Sequence, residues 1–148
     1  MKTQIDWTTD EFGRALVGGI HDGRVVRFAF ADGDYFNLTI RGELNQLVEI
    51  ELSGIGETNL CDMCNGSIVS TVYVWSVRSV PLSTWDLPNS GWNLLFSNRY
   101  AKPDVKELAA RIALKRPHAK LVQVECSYGG SLAVICDQVS FFAGVLEN

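Results

Sequence analysis

The chain has 148 residues, 47% hydrophobic and 20% charged, with four cysteines and a formal net charge of −4 at pH 7. That length suits one domain with one core, expected over residues 1–148, and the balance of residue types excludes a disordered chain. No apolar run approaches the roughly 20 residues of a membrane helix, and no apolar segment follows a basic one at the start, so neither a membrane span nor a secretory signal is expected.

A cytoplasmic location follows as the expectation, with Cys61, Cys64, Cys126 and Cys136 as reduced thiols unless a metal holds them. The charge is uneven. Residues 1–62 hold five Lys/Arg against eleven Asp/Glu, a net of −6, and residues 97–120 hold seven against two, a net of +5. An acidic front and a basic segment can steer a charged partner, although long charged side chains on a helix usually sit in water.

In chain order, Trp7-Thr8-Thr9-Asp10-Glu11-Phe12 predicts a short helix. Thr8 and Glu11 have capping-box spacing, Trp7 and Phe12 have staple spacing, and Gly18-Gly19 closes it. Residues 24–40 read as a β-hairpin around Asp32-Gly33, with Ala29 facing Phe36 and Val25 facing Ile40. Both faces of that hairpin are largely apolar, so cover is expected on both sides. Leu47–Leu52 alternates, with Val48, Ile50 and Leu52 inward and Glu49 and Glu51 toward water.

Residues 68–80 form the longest β-type run, with Val72 and Val74 on one face and Tyr73 and Trp75 on the other, which predicts a central strand. Residues 81–100 are rich in proline, glycine, asparagine and serine and read as a loop carrying Trp85 and Trp92 beside Arg99 and Tyr100. Pro103 opens a helix over 103–115 with Val105, Leu108, Ala109 and Ile112 as its apolar stripe, and Pro117 stops it. A second hairpin spans 120–142 around Tyr128-Gly129-Gly130-Ser131. The resulting expectation is an α+β fold: a mainly antiparallel sheet of about six strands, a short N-terminal helix and one helix at 103–115.

Cys61-Asp62-Met63-Cys64 has the spacing that grips zinc or runs a redox cycle. A structural zinc site needs four ligands, and the second pair would be Cys126 and Cys136. With the hairpin turn at Gly129-Gly130, Cys126 faces Ala133, and Cys126 and Cys136 leave the sheet on opposite sides; a one-residue bulge reverses that. The redox reading lacks a helix N-terminus beside the pair, since Asn65-Gly66-Ser67 leads into a strand. Gly54-Ile55-Gly56-Glu57 resembles half a phosphate loop but has no helix after it. His21-Asp22 is a neighbour pair on a turn, and no Ser/His/Asp set with nucleophile-elbow spacing is present.

These residues predict a small soluble binding or interaction protein without catalysis and without a cofactor. Its contact residues are expected to be Trp85, Trp92 and Arg99, with Glu49 and Glu51 as a second patch, and a basic protein that it neutralises is one partner that fits. Two alternatives stand beside it: a zinc-binding protein using Cys61 and Cys64, and a small-ligand domain with a pocket between sheet and helix lined by Tyr73 and Trp75. Neither nucleic acid nor a membrane is expected as a partner, because the basic helix has no aromatics interleaved with its charges. The sequence leaves the oligomeric state open.

Overall fold

The computed structural model describes residues 2–79, 91–96 and 102–144. Nine strands and two helices form among them. The strands are β1 (Thr3–Ile5), β2 (Arg24–Ala31), β3 (Tyr35–Arg41), β4 (Leu47–Ser53), β5 (Thr58–Cys61), β6 (Ile68–Ser76), β7 (Lys120–Tyr128), β8 (Ser131–Cys136) and β9 (Gln138–Gly144). The helices are α1 (Gly91–Phe96) and α2 (Lys102–Lys115). All strands join one sheet in the order β1-β9-β4-β3-β2-β6-β7-β8-β5, with antiparallel neighbours throughout. The mainly antiparallel sheet is as expected, but with nine strands among the described residues in place of about six the fold is sheet-rich rather than a clear α+β.

The sheet is nearly divided in two. Between β2 and β6 the ladder has one register pair, Arg24 with Ile68, extended on one side by bonds from Val25 N–H to Ser67 O and from Gly66 N–H to Val25 O, and on the other by bonds from Val69 N–H to Gly23 O and from Asp22 N–H to Val69 O. On one side of this seam lies a blade of β1, β9, β4, β3 and β2; on the other lies a blade of β6, β7, β8 and β5. One face of the first blade carries Phe36, Leu38, Ile40, Val48, Ile50, Leu52 and Phe141, all buried. These pack in the same core as Val72, Val74, Val122, Val124, Leu132, Val134 and Cys136 of the second blade. The opposite face of the second blade buries Leu121, Ala133 and Ile135 against Trp92, Leu95, Phe96, Val105 and Ala109 of the helices. Three layers result: first blade, second blade, helices. Strands of the middle layer must be apolar at successive positions, and β8, Ser131-Leu-Ala-Val-Ile-Cys136, is.

Several expectations hold. The helix at 103–115 is α2, with Val105 and Ala109 buried. The alternation of β4 is as read, with Val48, Ile50 and Leu52 all nearly inaccessible. In β6, Val72 and Val74 enter the inter-blade core, and Trp75 packs against the helix-side cluster. Val25 faces Ile40, as expected.

Other expectations do not. The hairpin of β2 and β3 carries a bulge at Val26 and a three-residue connection, so Ala29 faces Asn37 rather than Phe36. The strand expected to reach residue 80 ends at Ser76, where Ser79 N–H bonds back to Ser76 O and Val77 turns inward. Part of the stretch read as a loop over 81–100 is helix α1; Trp92, Leu95 and Phe96 bury in one cluster with Leu121 of β7 and Ala133 and Ile135 of β8. The hairpin expected over 120–142 is three strands, because Asp137 turns the chain and its N–H bonds to Ser53 O, leading β9 into the first blade.

The helix expected from Trp7 is absent. Instead the Asp10 carboxylate accepts bonds from the N–H groups of Phe12 and Arg14, both 2.9 Å, an Asx-type turn that competes with a helical start. Desolvation works to raise the Asp10 carboxyl; the N–H groups of Arg14 and Phe12 and the Arg14 charge outweigh it and hold its pKa below the ordinary value. The decisive partner is β6. Val74 N–H bonds to Gly13 O, and Ala15 N–H bonds to Val72 O, so this segment runs as a strip along β6 where β2 has splayed away. Unpaired backbone groups on a buried strand are costly, and the strip satisfies them. Trp7 packs edge-on against Phe141 at 5.0 Å and closes the core there.

Gly13 makes the strip fit. It has φ +81°, and an added Cβ would stand 2.1 Å from Trp75 Nε1. Gly33 has φ +80° with open space around it. Gly13→Ala should therefore cost about 3 kcal/mol in chemical denaturation, from left-handed strain plus overpacking. Gly33→Ala should cost about 1 kcal/mol, from strain alone.

Candidate functional site

The end of the second blade is built from two interlocked turns. Cys61 closes β5 opposite Ser131 of β8, and Asp62 with φ 56° and Gly66 with φ 93° fold the following residues back. Met63 is buried in the inter-blade core and anchors the turn. Ser67, fully buried, ties it to the β7–β8 turn: its hydroxyl donates to Gly129 O at 2.6 Å and accepts from Cys64 N–H at 3.0 Å. Gly130 passes so close that an added Cβ would lie 2.1 Å from Cys61 O. The CxxC segment is thus a corner that locks one hairpin end to another.

Each thiol of the CxxC pair has a polar neighbour within its own turn. Cys61 Sγ lies 3.7 Å from Asp62 Oδ2, and Cys64 Sγ lies 3.6 Å from Ser67 Oγ. Among the described residues no group of three His, Cys, Asp or Glu side chains is placed to hold a metal ion. Cys61 and Cys64 could supply two of the four ligands that structural zinc requires. The expected pairing of Cys126 with Ala133 is wrong: Gln123 faces Ala133, and Cys126 N–H reaches Gly130 O. Both Cys126 and Cys136 consequently point into the inter-blade core. They still cannot share a metal, because Cys136 faces Lys120, six residues along β7 from Cys126, or about 20 Å.

Between these turns and helix α1 lies an open cleft of about 310 Å³, lined by Leu94, Gln123, Glu125, Cys126, Ser127, Gly129, Gly130 and Ser131. Alternation along β7 explains its polarity. Gln123 and Glu125 share the helix-side face with Leu121; Gln123 is buried, and beyond it Glu125 is half-buried past the end of the six-residue α1. Asn59 Nδ2 donates to Leu94 O and fixes α1 above the sheet. The lining therefore presents a carboxylate, an amide and two hydroxyls, while the Cys126 side chain turns to the inter-blade core. Burial pushes the Cys126 thiol up to about 11, helped by neighbouring Cys64 and Glu125.

The residues expected to make contacts are dispersed. Trp92 lies on α1, is 1% exposed, and stacks on Phe96 with centroids 6.2 Å apart. Trp85, Arg99 and Tyr100 lie outside the described residues. Glu49 and Glu51 face outward from β4, as read, but not to free water: Lys2 pairs with both, at 2.9 Å from Glu49 Oε2 and in closer contact with Glu51. The Glu49 contact is an ion pair without hydrogen-bond alignment. These contacts, Glu51 first, raise the Lys2 pKa above its ordinary value. Tyr73 and Trp75 stack at 4.9 Å, and Trp75 Nε1 donates to Phe12 O, so the Asx turn covers them in place of a ligand.

The remaining motifs have structural roles. Arg116 at the end of α2 donates to Gly54 O and Asp137 Oδ1, both 2.6 Å, while Ile55 N–H and Gly56 N–H bond to Asp34 O and Ile135 O. The glycine loop therefore grips a guanidinium, and two of its N–H groups are already in use. His21 Nδ1 lies 3.0 Å from Asp22 Oδ2 on an exposed turn. Glu125, Ser127 and Ser131 were not singled out from sequence. The available signal was a carboxylate amid apolar residues of a strand that must be covered on both faces.

Two outcomes follow. In a thiol titration near pH 8, Cys61 and Cys64 should react readily and Cys126 slowly. Cys136, fully buried with its thiol pushed up to about 12, should react only in denaturant. Because its pKa is raised on folding, Lys2 stabilises the fold below the ordinary lysine value and loses that contribution as pH rises through the folded value. Lys2→Met should cost less than about 1 kcal/mol at pH 7, and the denaturation curves of variant and wild type should converge well above about pH 10.4. Compared with known proteins, the chain matches no protein-family model, no curated protein and no solved structure.

Proposed function

We propose that this chain is a non-catalytic binding protein whose ligand is a small polar molecule seated in the cleft between α1 and the β7–β8 turn. One observation carries the reading: the cleft gathers Glu125, Ser127 and Ser131, above buried Gln123, where the described helices leave the middle layer's helix-side face open. A concave site with a few convergent polar groups is where small ligands bind. With one carboxylate and no cation in its lining, it favours a ligand bearing an ammonium or guanidinium group.

The chemistry of the lining supports binding over reaction. Its one cysteine, Cys126, turns its side chain to the inter-blade core, and burial pushes that thiol up to about 11, away from the reactive thiolate form. Neither histidine lines the cleft to activate a hydroxyl. This reading takes up the alternative of a small-ligand domain with a pocket between sheet and helix in place of the expected protein-interaction surface, and moves its contact residues from Tyr73 and Trp75 to Glu125 and its neighbours. A neutralised basic protein is the weaker reading, since Lys2 already occupies Glu49 and Glu51.

Titration of isotope-labelled protein with a panel of small primary amines and guanidines, followed by amide NMR shifts, tests it. Saturable shifts should concentrate at Glu125, Ser127 and Gly129–Ser131, and Glu125→Gln should weaken the tightest binder about tenfold, the loss of one charge-assisted hydrogen bond. Shifts that never saturate, or that map elsewhere, overturn the proposal.

A further inference from the structure

We propose that the free edge of β2 is a self-association surface, pairing antiparallel with β2 of a second copy of this chain. On one side β2 pairs with β3 along its whole length. On the other side its contact with the second blade stops at Val25. The bulge at Val26 bends the strand off the seam, and from Arg27 to Ala31 no described residue bonds to the outer edge. The two strands that end the sheet are shorter: β1 has three residues and β5 has four. Short terminal strands are how sheets blunt their edges, and this five-residue stretch lacks that protection.

The side chains on the edge suit a partner strand. Phe30 is 51% exposed, although it packs on Phe36 with centroids 4.7 Å apart, and Phe28 beside it is half-buried. Exposed aromatics on a free edge favour β-addition, in which main-chain bonds supply affinity and alternate side chains select the partner.

Charge selects a second copy. Arg24 and Arg27 precede the apolar residues, and Asp32 and Asp34 follow them. An antiparallel copy sets the basic end of each strand beside the acidic end of the other. A parallel copy sets like charges together and is disfavoured. Opposed residues must project to the same face, which permits a register centred on Ala29. Phe28 then stands opposite the partner's Phe30, and Arg27 opposite the partner's Ala31, next to the partner's Asp32. The arrangement has two-fold symmetry and closes after two copies. Five residues per strand form a small contact, so the dimer is reversible and concentration-dependent, and salt weakens it.

Sedimentation velocity over a concentration series tests this with the full chain. Wild type should pass from monomer to dimer as concentration rises. Arg27→Asp and Asp32→Lys, each alone, place like charges together and should weaken the dimer about tenfold or more. An equimolar mixture of the two variants should dimerise again, because each contact then joins opposite charges; damaged folding would not be repaired by mixing. A wild type that stays monomeric throughout, a dimer indifferent to both substitutions, or a mixture that stays monomeric overturns the pairing.

Discussion

The middle layer has to be apolar on both faces, and the other parts of the molecule are arranged around that requirement. Val122, Val124, Leu132 and Val134 turn toward the first blade, while Leu121, Ala133 and Ile135 turn toward the helices. Fully burying one such side chain contributes on the order of 1.5–3 kcal/mol, so neither face of the layer can be left to water. The first blade needs only one apolar face, and its alternation is correspondingly clean in β4. Its outward face is polar and carries the Lys2, Glu49 and Glu51 cluster. The described helices cover the second blade incompletely, and the cleft lies where their cover stops.

The same layering accounts for the chain before β2. Once β2 departs from β6 after one register pair, the outer side of β6 needs other backbone partners. Gly13 and Ala15 supply them. The capping and staple residues around Thr8 to Phe12 then serve a turn, not a helix. Local helix signals are worth about 1 kcal/mol, less than the cost of burying several unsatisfied backbone groups, so the non-local demand prevails. A related logic applies at the seam's other margin, where Ser67 is buried yet fully occupied by Gly129 and Cys64.

Strand identities and facing were legible where a periodic pattern was strong. β4, β6 and α2 lie close to where alternation and helical spacing put them. What stayed hidden depends on partners distant in sequence. The short β1 and β5 exist because β9 and β8 pair with them. The β7–β8 register differs from the expected one because Cys126 N–H bonds to Gly130 O across a tight turn. That difference reverses the facing of Cys126 relative to Cys136, while the separation along β7 leaves the metal argument standing for a different reason. Among candidate contact residues, Trp92 shows why a large aromatic in a glycine-rich stretch is ambiguous: its area can cover a core or a ligand, and here it covers the core. The cleft was invisible because Glu125 and Ser131 face each other across a register that the sequence does not disclose.

The place of β9 has a consequence for how the molecule is made. This strand, the last to leave the ribosome among those described, inserts between β1 and β4 and holds both. Val48, Ile50 and Leu52 thus wait for Val139 and Phe141 until all the chain between them has been made. Such distant pairings make folding slow, and they keep an apolar ladder open while the chain is still growing. The nascent protein should therefore depend on chaperone shelter until β9 emerges.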